Sequence, residues 1–137
     1  WFEASHALGK DLFITLDSAS GTHGNKQLEW LRNFLAAHRS EYRYCIVVTH
    51  TNMLYTDNTQ TTSGNIPMEE VMMLLGLFKE HNVTLCLQGH DHHRSDLTFT
   101  GVRYTVVGTI RDEAENPEYL CIRLSNEGVE YDWRLLK

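Results

Sequence analysis

Histidines at positions 90, 92 and 93 fall within four residues in the stretch "LCLQGHDHH", Leu85 to His93, directly after an apolar run and a glycine. Neutral imidazole is the commonest protein ligand for transition metals, so this density of rings is a candidate metal site. In an extended segment, side chains two apart share a side, which would bring His90 and His92 together and turn Asp91 away. His50 ends a second apolar run, "YCIVVTH", and is expected at the same edge. Two readings compete: a metal shell of His50, His90 and His92, or a polar loop rich in imidazole. One geometry accounts for both strand-end histidines, which favours the metal. Asp91 is a candidate for orienting a ligand imidazole, with a plain surface carboxylate as the alternative.

The elements that would position these rings are short strands alternating with helices. "LFITLD" (Leu12 to Asp17) and "YCIVVTH" read as strands, and four consecutive apolar residues in the second suit a parallel sheet covered on both faces. Between them, Leu28, Leu31 and Leu35 recur at helical spacing in "QLEWLRNFLAAH". Pro67 fits the first turn of a second helix, in which Val71, Leu74, Leu75 and Phe78 form the apolar stripe. "VTLCLQ" (Val83 to Gln88) is the strand that delivers the histidine loop. The carboxyl edge of such a sheet is where α/β proteins collect ligands. Residues 51–65 show no periodicity and include Asp57; so long a loop is expected to act as a lid or binding loop. After residue 94 the pattern turns to strands alone, "DLTF", "VRYTVVG", "YLCIRL" and "VEYDWRL", with "SNEG" (Ser125 to Gly128) as a hairpin turn. The expected class is therefore α/β: β-α-β-α-β followed by antiparallel strands, in a single domain over residues 1–137.

Of the chain's 137 residues, 42% are hydrophobic, enough for a core of its own. Twelve basic against 18 acidic residues give a net charge of −6, which argues against general nucleic-acid binding. No apolar run approaches the roughly 18 residues of a membrane span. Cys45, Cys86 and Cys121 lie within apolar runs, so buried reduced thiols are expected rather than disulfides. The opening "WFEASHALGKD" has no initiator Met and no leader, as expected of a fragment or a processed product. Gly24-Asn25-Lys26 and Asp17 read as turn or helix-start residues, and His23 as a loop residue. His6, His38 and His81 read as structural or exposed.

"VVTH" followed by "GHDHH", with "FITLDS" and "KQLEWLRNFL" ahead of them, resembles the C-terminal half of the calcineurin-like metallophosphoesterase superfamily, over most of residues 12–110. Part of a four-layer α/β/β/α sandwich is the fold this implies. By that resemblance His50 and His90 would bind one metal of a binuclear site and His92 the other. Two divalent or trivalent ions are implied, from among Mn, Fe, Zn, Co and Ni. The activity implied is hydrolysis of a phosphomonoester or phosphodiester by a metal-activated hydroxide, on a phosphorylated substrate of unspecified class. Where many relatives have His-His-Pro-Pro, this chain has "THTN", which makes Asn52 a candidate substrate contact. His93 is another, with simple exposure as the alternative. Arg94 is a third, through a phosphate oxygen; its alternative is a solvated Arg beside Asp96. Gly-Asp-x-x-Asp and Gly-Asn-His-Asp/Glu, the carboxylate motifs of the family's first part, are absent from these residues. The catalytic carboxylates are thus expected upstream of Trp1, in an N-terminal half of the same catalytic domain that would be this chain's partner. Alone, the chain is expected to be inactive. The alternative is a non-catalytic module that binds metal or a phosphorylated ligand.

Overall fold

The computed structural model describes residues 1–54, 66–110 and 116–136. Among these residues two α-helices and eight strands follow one another: β1 Phe2–His6, β2 Gly9–Leu16, α1 Gly24–His38, β3 Cys45–Thr49, α2 Met68–Glu80, β4 Leu85–Gln88, β5 Ser95–Phe99, β6 Val102–Val106, β7 Glu118–Leu124 and β8 Val129–Leu135. Eight strands make two sheets, one six-stranded in the order β1-β2-β3-β4-β6-β5, the other a β7-β8 hairpin. Strands β2, β3, β4 and β6 run parallel; β1 and β5 are antiparallel edges.

Both helices cover one face of the large sheet, as their apolar stripes require. The rows Ile14-Val47-Cys86-Tyr104 and Leu16-Thr49-Gln88-Val106 point to that face. Leu28, Leu31 and Leu35 of α1 and Val71, Leu74 and Phe78 of α2 close over it, each at most 3% exposed. On the opposite face the hairpin seals one end, where the Arg103 guanidinium lies 3.6 Å from the Tyr131 ring centroid and Tyr44 Oη donates to the Ser125 carbonyl. The other end of that face, around Thr15, Val48 and Leu87, is an open groove of about 830 Å³.

Fold class and helices agree with the expectation, and "SNEG" forms the hairpin turn, with Ser125 N donating to Gly128 O at 3.0 Å. Two details differ. Phe2–His6, not foreseen as a strand, pairs with β2. β6 lies parallel beside β4, so the strands after the histidine loop are not all antiparallel. Alternation of residue types says that a segment is a strand; it does not say which neighbour the segment takes. All three cysteines are free, Cys45 and Cys86 buried and Cys121 half-buried; burial pushes the Cys45 thiol up to about 11. Among the described residues no helix is long and apolar enough to cross a membrane.

Candidate metal centre

β3 and β4 are adjacent and parallel, so their carboxyl ends deliver His50 and the Gly89–His93 loop to one edge. The Gly89 N–H donates to the His50 carbonyl at 2.8 Å, extending the ladder by one bond beyond the strands. Across this junction His50 Nε2 and His90 Nδ1 stand 3.3 Å apart, their rings edge to face at 87°. Two metal–nitrogen bonds of about 2.0–2.1 Å at a tetrahedral angle would hold their nitrogens about 3.4 Å apart. The separation is that of a hydrogen bond between the two rings, and it also matches two imidazoles on one ion. His50 is exposed and lines the groove, and His90 is half-buried.

His92 does not complete a cluster: among the described residues no group of three or more His, Cys, Asp or Glu side chains is arranged to hold a metal. The reason lies in the backbone. The loop is not extended; His90 and His92 have φ of 75° and 61°, in the left-handed region that non-glycine residues seldom enter. Side-chain alternation holds only along an extended chain, so the expected convergence of His90 and His92 does not follow here. His92 is exposed.

Asp91 does not face solvent. It is 1% exposed, and its Oδ2 accepts from Asn52 Nδ2 at 2.5 Å. Asn52, 2% exposed, also accepts the Leu54 N–H on Oδ1 at 2.9 Å, so both ends of its amide are engaged inside the protein. Asn52, expected as a substrate contact, is thus turned inward in this structure. His93 is half-buried, its Nδ1 donating to the Asp91 carbonyl at 3.0 Å. Arg94 leans onto the hairpin, 3.3 Å from Glu118 and 4.1 Å from the Trp133 ring centroid; Asp96 pairs with Arg103 instead. Of the loop from Thr51, the first three residues are buried, and the remainder from residue 55, with Asp57, lies outside the described residues.

Thr49 and Thr51, which flank His50 in sequence, belong to a layer of buried polar groups. Ser18 Oγ accepts the Thr51 N–H at 3.2 Å and is within hydrogen-bond distance of the Thr49 and Thr51 hydroxyls, at 3.2 and 3.1 Å. Gln88 Nε2 donates to the Thr51 carbonyl at 3.1 Å. His23 has a fully buried side chain, with Nε2 3.2 Å from Thr49 Oγ1 and Nδ1 3.7 Å from Glu70 Oε2. Burial lowers its pKa below the ordinary value, and the Glu70 carboxylate pulls the other way without prevailing. Ser18, Thr51, Gln88 and Glu70 carry no motif, and their role became visible only through contacts 31 to 48 positions apart. Asp17 makes a turn, its Oδ1 accepting the Ala19 N–H at 2.9 Å.

No protein-family model matches the chain, and no curated protein matches it. Solved structures do. GAP50, the anchor in the inner membrane complex of Plasmodium, matches with a TM-score of 0.74 at 15% identity, covering 96% of this chain and 48% of that one. Purple acid phosphatase PPD1 from yellow lupin (Lupinus luteus) seeds matches at 0.63 and 15% identity, with 98% of this chain and 30% of that one covered. A dimetal phosphatase from Danio rerio matches at 0.60 and 15% identity, over 80% of this chain and 37% of that one. The chain has the fold of the calcineurin-like metallophosphoesterases. It spans about half or less of the length of each of these structures. In this fold the histidine pair sits at the carboxyl edge of the large sheet, where His50 lines the open groove.

Proposed function

We propose that this chain supplies the histidine half of a binuclear metal site in a phosphohydrolase. The observation that carries the reading is the approach of His50 Nε2 and His90 Nδ1 to 3.3 Å, in a fold shared with a dimetal phosphatase and a purple acid phosphatase. His50 and His90 would hold one ion, and His92 a second once further ligands arrive from the N-terminal half of the same catalytic domain. Bound metal would supply a hydroxide nucleophile near neutral pH and neutralise charge on a phosphate ester. The chain's own part is to present two imidazoles from a rigid sheet edge, with the Ser18-Thr49-Thr51 layer fixing the backbone on either side of His50. The groove lined by His50 and floored by Val48 and Leu87 is where that N-terminal half would seat, consistent with a match that covers 48% or less of each structure the chain resembles. His93 and Arg94 stand as proposed substrate contacts of lower rank, because each already has a partner within the chain.

The test is metal analysis of the full-length protein with turnover of a phosphomonoester and a phosphodiester, p-nitrophenyl phosphate and its bis ester. His50→Ala and His90→Ala are each expected to weaken metal binding at least tenfold, about 1.4 kcal/mol, and to abolish turnover. Residues 1–137 alone, saturated with Mn²⁺ or Zn²⁺, are expected to show no turnover; hydrolysis by this piece that His90→Ala removes would end the half-site reading. A second reading, a non-catalytic module binding metal or a phosphorylated ligand, draws on the similarity to a structure described as an anchor. Metal binding lost in His90→Ala, together with no turnover by the full-length protein, would favour it.

A further inference from the structure

Asn52 and Asp91 form a polar pair inside the protein, 2% and 1% exposed, joining two loops 39 positions apart. Asn52 comes two residues after His50, and Asp91 stands between His90 and His92. The Asn52 amide is spent at both ends, on Asp91 Oδ2 and on the Leu54 N–H, so it has a single orientation. Asp91 is tied into its own loop as well: its N–H donates to the Gly89 carbonyl at 3.0 Å and its carbonyl accepts from His93 Nδ1 at 3.0 Å. Its second carboxylate oxygen, Oδ1, is buried without a hydrogen-bond partner among the described residues. A buried acceptor left over is a cost, and such exceptions call for a functional account. The histidines on either side are in left-handed backbone, which persists only where surrounding contacts over-determine it.

We infer that Asn52 and Asp91 are positioning residues, a buried brace that sets the separation of the His50 and His90 imidazoles. The inference rests on the metal reading above and assigns Asn52 a role toward the ligands rather than toward substrate. A carboxylate in the loop has a second use: the spare Oδ1 is the kind of acceptor that takes the outer N–H of a ligand imidazole and fixes its tautomer. The amide–carboxylate bond adds a direct side-chain tie between the two loops to the Gly89–His50 and Gln88–Thr51 bonds at their base.

The experiment is calorimetric titration of the full-length protein with Mn²⁺ and, separately, Zn²⁺. Asn52→Asp sets two carboxylates against each other and is expected to weaken metal binding about 10- to 100-fold. Adding Asp91→Asn restores an amide–carboxylate pair of reversed direction, and binding should return to within about threefold of wild type, as the reversed pair again holds the loops at their bond length. Wild-type affinity in Asn52→Asp, or a double variant as weak as the single one, overturns the brace. His90→Ala separates the two failures: if it leaves binding unchanged, the metal reading falls and the brace with it; if it abolishes binding while Asn52→Asp binds as wild type, the brace falls alone. Near-UV circular dichroism checks folding. If Asn52→Asp does not fold, Asn52→Ser carries the comparison, weaker metal binding with an intact fold supporting the brace and unchanged binding overturning it.

Discussion

A methyl group placed on Gly89 would lie 3.4 Å from the His50 carbonyl oxygen and 3.6 Å from its Nδ1, at the near limit of ordinary contact. Gly89→Ala is therefore expected to bind metal within about threefold of wild type, since ordinary carbon contacts begin near 3.5 Å. Gly89→Val adds two further carbons toward the same ring and should weaken metal binding about tenfold or more, as overpacking displaces the neighbour. Calorimetry on the pair decides it; equal affinities would mean that the ring moves aside without consequence. The glycine ahead of the first histidine thus has a steric reason that its position in "QGHDHH" alone does not disclose. His50 and His90 were legible because apolar runs ending in histidine are local signals. The shape of the loop was not, because left-handed backbone at His90 and His92 has no signature in residue type, and the argument from alternation assumed a strand. The burial of Asn52, expected as a substrate contact, and of Asp91, expected to orient an imidazole or to lie at the surface, was illegible for a related reason: each depends on the other across the fold.

His23 at the N-cap of helix α1 makes no side-chain capping bond; Thr22 Oγ1 meets the Gly24 N–H at 3.0 Å, and the His23 N–H still needs an acceptor. The missing acceptor comes from the first turn of α2, where Glu70 takes the Thr22 hydroxyl at 2.5 Å and the His23 N–H at 2.8 Å. A carboxylate there also meets the positive end of the α1 dipole. Glu70→Ala is expected to cost about 1–2 kcal/mol in urea unfolding, the range for a lost cap, while Glu69→Ala, exposed on the same turn, should change stability by less than about 0.5 kcal/mol. A second element-level test concerns the β5-β6 hairpin. Its two turn residues, Thr100 and Gly101, have φ of 51° and 85°, the pattern of a type I′ turn in which Asn-Gly is preferred and a β-branched residue is strained. Thr100→Asn should stabilise by about 1 kcal/mol, whereas Thr98→Asn within β5 should destabilise, since Asn is disfavoured in strands. At this scale the helices were legible from their stripes, Leu28-Leu31-Leu35 and Val71-Leu74-Leu75-Phe78. β1 was not, being exposed at nearly every position and so lacking an apolar alternation. The placement of β6 beside β4 is set by packing across the whole sheet.

Protonation links the buried polar layer to the stability of the molecule as a whole. Burial holds His23 below its ordinary value of 6.5, so the unfolded chain takes up this proton at higher pH than the folded one. The stability this represents is fully present above 6.5 and is lost as pH falls toward the folded value. Three carboxyls act in the same direction at lower pH. For Glu70 burial alone would raise the pKa, but the Thr22 hydroxyl and the His23 N–H outweigh it and the net shift is downward from 4.5. Asp11 and Asp96 are likewise raised by burial and lowered further by the guanidinium groups of Arg43 and Arg103, ending below 3.8. Their stabilisation is present above these ordinary values and disappears as pH drops through the folded ones. Acid should therefore weaken the fold in two stages, one beginning near 6.5 from His23 and one below about 4.5 from the carboxyls. Urea midpoints from pH 8 to pH 3 read both, with a slope of at most about 1.4 kcal/mol per pH unit for the single His23 proton. His23→Gln keeps a side chain able to bond Thr49 and has no charge to acquire. It should flatten the profile between pH 7 and pH 5 and leave the second stage in place; a wild-type profile already flat in that window would show that His23 is protonated equally in both states.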